Sequence, residues 1–166
     1  MLQPLVRRTW APKGETPIQY SWARRGRLSV IGGMGFSPVR HVPRLFFQIH
    51  SQNIRAEQVV GFLTELHRQL RRKILVILDR YSAHRKAVRL LQEQHPDWIE
   101  VVWLPAYAPE LNPVEMVWNH TKYGDLANYI PADMEEWRQT VCTSLERTGS
   151  EATLLMSCFR RTGLEW

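Results

Sequence analysis

The sequence has few cysteines, no long apolar run and fewer acids than bases. Cys142 and Cys158 are its only cysteines. They have no metal-ligand spacing, and the pair reads as two reduced thiols in a cytosolic protein. No stretch approaches the ~20 apolar residues of a membrane helix. Met1 to Val6 contains no hydrophobic core segment and runs straight into Arg7-Arg8, so it does not read as a signal peptide. Gly32, Gly33 and Gly35 are not followed by GK[ST], which favours a bulge or strand end over a phosphate-cradling loop. Neither a Ser-His-Asp nor a Cys-His arrangement occurs at a recognisable spacing. Internal repeats, low-complexity segments and linkers are also lacking.

What is there is a basic chain able to form a core. Lys and Arg number 22 against 16 Asp and Glu, for a formal charge of +6, and hydrophobic residues make up 44% with seven Trp. A length of 166 residues suits one domain, 1–166, with a real core. The basic balance suits nucleic acid or an anionic membrane, and an ordinary basic soluble protein shares it.

The elements read in order as strands, helix, strand, helix, strand, helices. Residues 18–36 and 44–50 are strand material, with a basic turn at Arg24-Arg25-Gly26-Arg27. Residues 51–72 form a helix whose apolar face is Val59, Phe62, Leu63, Leu66 and Leu70. The cations at its end complement the helix dipole. Ile74 to Leu78 are five consecutive apolar residues, the pattern of a strand buried on both faces. Tyr81 to His84 reads as a loop, followed by a helix to about Gln94. Residues 98–104 form the next strand. Asn112-Pro113-Val114-Glu115 then opens a helix, with Asn112 as N-cap and Glu115 at its third position. A helix from Pro131 and a short last helix, about 151–160, complete the chain. This order predicts an α/β fold, a mixed sheet flanked by helices.

Two carboxylates stand out. Asp79 ends an apolar strand, at the edge where open α/β sheets bind ligands. Glu115 opens the helix after the next strand, so both acids reach the same edge. Clustered carboxylates call for a hard cation such as Mg²⁺ or Mn²⁺, and metal ions at such a site support phosphodiester chemistry. Each acid also has a plainer reading. Glu115 would complete a capping box with Asn112, and Asp79 would start a loop. His84 is more often a structural hydrogen bonder than a catalyst.

The segments Leu78-Asp79-Arg80-Tyr81-Ser82-Ala83-His84-Arg85 and LPAYAPELNPVEMVW (104–118) resemble the catalytic core of mariner-related bacterial insertion-sequence transposases. Arg7 to Pro17 and Phe159 to Leu164 are similar to that family as well. The resemblance implies a DDE-type endonuclease with a ribonuclease-H-like fold. It implies Asp79 and Glu115 as metal-binding catalytic acids, Mg²⁺ or Mn²⁺ as cofactor, and DNA (transposon ends and target) as partner. Arg80, His84 and Lys122 are the implied nucleic-acid residues. Lys122 also reads as plain solvated helix surface, and Arg80 would either weaken metal binding or meet phosphate.

In that family a first catalytic Asp ends a strand shortly before the segment matching Arg7 to Gly14. Residues 1–6 contain no acid. The expectation is therefore a domain incomplete at its N-terminus, without its first central strand, and unable to cleave DNA alone. It would take a missing segment or a second copy as partner. The rival expectation is a non-catalytic DNA-binding or transposition-modulating remnant.

Overall fold

In the computed structural model the described residues are 8, 10–15, 18, 28–37 and 39–163. Apart from Ile18, the first strand-forming stretch expected at 18–22 and the basic turn at 24–27 lie outside them. The elements are β1 (Ser29–Phe36), β2 (Pro43–His50), α1 (Ala56–Leu70), β3 (Ile74–Leu78), α2 (Ser82–Gln94), β4 (Ile99–Trp103), α3 (Pro113–His120), α4 (Met134–Ser150) and α5 (Ala152–Arg161). A 3-10 turn, Pro109–Leu111, precedes α3, and a π-helical turn, Thr121–Asp125, follows it.

The mixed α/β order is as expected from the sequence. Among the described residues the strands form two pairs, antiparallel β1–β2 and parallel β3–β4. The two pairs share one core. Ile31 of β1 packs with Val59, Phe62 and Leu63 of α1, Ala87, Val88 and Leu91 of α2, and Ile99 of β4. Phe46, Val76, Leu78, Val101 and Trp103 pack against this cluster. A second cluster covers the other face of β1–β2. It joins Val117 of α3, Trp137, Val141 and Leu145 of α4, and Leu155 and Cys158 of α5 to Val30, Leu45, Phe47 and Ile49.

β3 departs from the expected strand buried on both faces. Val76 and Leu78 point into the shared core, whereas Leu75 is 57% exposed and Ile77 37%. Val102 of β4 is 48% exposed beside them. Helices α1 and α2 cover one side of this pair, and no described element covers the other. A continuous apolar run has no polar residue with which to signal that open face.

The glycines of β1 are neither a bulge nor a strand end. β1 and β2 stay in unbroken register, with Gly32 opposite Phe47, Gly33 opposite Phe46 and Gly35 opposite Arg44. A Cβ on Gly32 would lie 2.7 Å from Cη2 of Trp118, and one on Gly35 would lie 2.8 Å from Cε2 of Phe46. Aromatic rings occupy the missing side-chain volume. Trp118 of α3 is thus seated on β1, which fixes the helix that carries Glu115.

Helix ends differ from expectation where caps decide them. α4 begins at Met134, not Pro131, because the Asp133 carboxylate accepts the Glu136 N–H at 2.8 Å. The Glu136 carboxylate accepts the Tyr129 hydroxyl and the Ala132 N–H, and the Tyr129 bond above all holds it below the usual carboxylate range. α1 ends at Leu70, where Arg71 takes a left-handed φ of 51° and its N–H donates to the His67 carbonyl. Arg68 pairs with Glu65 one turn back. Trp98 is stacked between His67 (4.3 Å) and His95 (3.7 Å), joining the ends of α1 and α2 to the start of β4.

Asp125 is the polar staple of the second half. Its carboxylate accepts the Ser144 hydroxyl at 2.6 Å and pairs with Arg147, with His120 Nε2 at 3.8 Å. The side chain is only 13% exposed. It ties the π-helical turn to α4, and its removal leaves the buried Ser144 without this partner. Replacing Asp125 with Ala is expected to lower unfolding free energy by about 1–3 kcal/mol. Denaturant midpoints of the variant and wild type check this.

Candidate active site

The parallel pair releases both acid-bearing loops at one end. Its register runs from Ile74 opposite Ile99 to Leu78 opposite Trp103. The ladder continues one rung further, where the Leu104 N–H donates to the Leu78 carbonyl at 2.8 Å. Asp79 is the next residue on one chain, and Pro105 on the other. The Asp79 loop and the segment that leads to Glu115 therefore leave the two strands at the same end.

Asp79 is 48% exposed and shaped by its own loop. Its Oδ1 accepts the Tyr81 N–H at 3.0 Å and the His84 Nδ1 proton at 2.6 Å. The Tyr81 ring meets the His84 ring edge-on at 5.6 Å. His84 is not in a loop, as the sequence suggested. α2 starts at Ser82 and places His84 in its first turn, 20% exposed. The helix has no side-chain cap to mark its start, which explains the misplaced boundary. The loop-initiating role of Asp79 is present, with His84 as a further partner, and Oδ2 has no partner among the described residues.

Glu115 is held by a cap it does not complete. Asn112 Oδ1 accepts the Val114 N–H at 3.2 Å. The Asn112 N–H donates to the Pro109 carbonyl at 3.0 Å, not to Glu115. The reciprocal capping box is absent, because the 3-10 turn already satisfies that donor. Glu115 is exposed on the first turn of α3, which is anchored by buried Val114 and Val117 and by Trp118 on Gly32. Its carboxylate is left free of the helix start.

Arg80 is exposed, with one of its guanidinium N–H groups engaged. Its Nε–H donates to the Leu104 carbonyl at 3.1 Å, across 24 residues of sequence. Lys122 lies in the π-helical turn after α3, part-exposed. Tyr107, which the sequence reading did not single out, stands fully exposed with a left-handed φ of 57° in the loop before α3. The Arg80–Leu104 contact was equally illegible, since no spacing rule links residues so far apart.

The donor chemistry fits a hard divalent cation in part. Asp79 offers oxygen ligands from the loop after β3 and Glu115 from the first turn of α3, and Mg²⁺ is commonly bound by one or two carboxylates plus water and substrate phosphate. No group of three or more His, Cys, Asp or Glu capable of holding a metal occurs among the described residues. Both cysteines are free, and burial pushes the Cys158 thiol up, away from reactive thiolate.

A family model described as "DDE superfamily endonuclease" matches residues 1–136. The chain belongs to that family. No curated protein matches it. The crystal structure of the Mos1 Strand Transfer Complex aligns over 98% of this chain and 51% of that one, at 14% identity and a TM-score of 0.48. The chain thus spans about half the length of that neighbour. DDE superfamily endonucleases generally use divalent metal ions, which are the expected cofactors. No described helix is long and apolar enough to cross a membrane.

The Asn112 cap is expected to matter locally. Asn112→Ala removes the acceptor for Val114 and should cost about 1 kcal/mol. Thermal or denaturant unfolding of the variant measures it, and an unchanged midpoint would count against the cap holding the start of α3.

Proposed function

We propose that this chain is catalytic-domain material of a DNA transposase, with Asp79 and Glu115 as two metal-binding acids. The reaction class is metal-dependent cleavage of DNA strands, then attack of a freed 3′-hydroxyl on target DNA. The observation that carries the reading is the common exit of the Asp79 and Glu115 loops from the last rung of the β3–β4 ladder. The family match and the basic charge support it. Bound Mg²⁺ or Mn²⁺ would polarise phosphate oxygens and activate water or a hydroxyl. Of this chain's residues, Asp79 and Glu115 hold the cation, His84 and the Tyr81 N–H fix one Asp79 oxygen, and Lys122 meets DNA phosphate.

We further infer that the two-acid set leaves this polypeptide short of cleavage by itself. That inference rests on the lack of any three-residue metal group among the described residues. It also sustains the second reading, a DNA-binding or transposition-modulating chain without chemistry. Purified 166-residue chain is expected to bind Mn²⁺ weakly, to lose that binding in Asp79→Ala and Glu115→Ala, and to leave terminal-repeat DNA uncut. Mn²⁺ titration and a nicking assay decide the matter. Nicking abolished by Asp79→Ala would overturn the inactivity and keep the enzyme, while metal binding indifferent to both substitutions would sink the site.

The open side of β3–β4 supports a further structural partner. Leu75, Ile77 and Val102 present apolar surface, and complete burial of one such side chain is worth about 1.5–3 kcal/mol. β3 pairs only with β4 among the described residues, which leaves its other edge unpaired. An added strand that pairs with β3 and bears a third acid would complete both the sheet and the metal site. The isolated chain is accordingly expected to melt at or below about 45 °C, the low end for ordinary domains. A cooperative melt well above that, for a monomer, would argue against the need for such a strand.

A further inference from the structure

We infer that Arg80 is a positioning residue, one that locks the Asp79 loop to the end of β4 and thereby sets where the two acids stand relative to a divalent cation. The inference rests on the reading of Asp79 and Glu115 as metal ligands.

The contact itself is specific. The Arg80 Nε–H donates to the Leu104 carbonyl oxygen at 3.1 Å. That acceptor is a fixed point, because Leu104 is buried and its own N–H is held by the Leu78 carbonyl at 2.8 Å. The bond therefore closes a short circuit: Leu78, Asp79 and Arg80 on one loop, Leu104 on the other. Leu104 opens the segment that runs through Pro105 and Pro109 to the Asn112 cap and Glu115. Prolines stiffen that segment, so the bond ties the Asp79 loop to the fixed start of the segment that bears Glu115.

The direction of the guanidinium matters as much as its bond. Arg80 is adjacent to Asp79, yet it does not pair with it. The partners of the carboxylate are the Tyr81 N–H and His84, both on Oδ1. Turned toward a carbonyl of the neighbouring strand, Arg80 leaves Oδ2 open. Charge and position thus act in opposite senses. A cation beside the site weakens metal binding by repulsion, whereas a restraint on ligand spacing strengthens it. Bonds made directly to metal ligands are worth about 10–100-fold in metal affinity, and a bond that sets ligand spacing acts on the same quantity.

Two substitutions separate the effects. In Arg80→Gln the amide nitrogen takes the place of Nε along the side chain, keeping the donor and removing the charge. Arg80→Met keeps the stem out to the ε position and removes both. Mn²⁺ binding to the full 166-residue chain is read by electron paramagnetic resonance, with unfolding midpoints in parallel. Positioning predicts that Arg80→Met binds Mn²⁺ about tenfold or more weakly, while Arg80→Gln binds at wild-type strength or better. If both variants bind as well as wild type or better, charge alone operates and the proposal is overturned. A lower melting midpoint for Arg80→Met with unchanged Mn²⁺ affinity also overturns it, leaving a merely structural bond.

The clasp has a readout independent of metal. In the wild type the Arg80 Nε–H should give a distinct, slowly exchanging NMR signal, identified by its loss in Arg80→Met. An Nε–H exchanging as fast as that of an arginine without a hydrogen bond removes the basis of the proposal. Wild-type chain whose Mn²⁺ binding is absent, or unaffected by Asp79→Ala, instead removes the metal reading on which its functional part stands, whatever the Nε–H signal shows.

Discussion

The hydrogen bond from the Leu104 N–H to the Leu78 carbonyl is the constraint on which the site depends. Parallel strands end on the same side, so a pair that is in register to its last rung delivers two loops to one place. Asp79 follows Leu78 directly, and the prolines after Leu104 carry the second loop on to the Asn112 cap. The acids need no contact with each other to share an edge. Strand register supplies the first approximation, and local bonds refine it: Asn112 for the start of α3, His84 and Tyr81 for one oxygen of Asp79, and Arg80 for the tie between the loops.

Behind that edge, the packing is uneven. β1–β2 is covered on both faces by the two apolar clusters, and α1 extends the first cluster beneath β3–β4. No described element covers the opposite face of β3–β4. Apolar side chains left half in water are the usual mark of surface that another segment covers. The open face lies on the same two strands as the acid-bearing loops.

Trp118 shows how the two halves of the molecule are kept in step. Its ring occupies the space that a side chain at Gly32 would need, and its helix also buries Val117 with Trp137, Val141 and Leu145. The start of α3 is consequently fixed from two sides, by the Asn112 cap and by packing on β1. Asp125 holds the other end of that segment, bonding Ser144 and Arg147 of α4 just beyond Lys122.

The sequence by itself determined the order and type of the elements, because hydrophobic period and proline placement are local. Val59, Phe62 and Leu63 marked α1, Trp137, Val141 and Leu145 marked α4, and Asn112-Pro113 marked the start of α3. It also singled out Asp79 and Glu115, since an acid after an apolar strand and an acid on a capped helix are readable in a single stretch. It misread β3 as buried on both faces, because an unbroken apolar run looks the same whether or not a covering layer is present. It misplaced the start of α2, which has no capping side chain, and took the β1 glycines for an irregularity when they are seats for Trp118 and Phe46. Only the tertiary structure decided where Arg80 points and how Asp79 is held. Those facts depend on a carbonyl 24 residues away and on a histidine one helical turn along, and such contacts exist only once the two strands have paired.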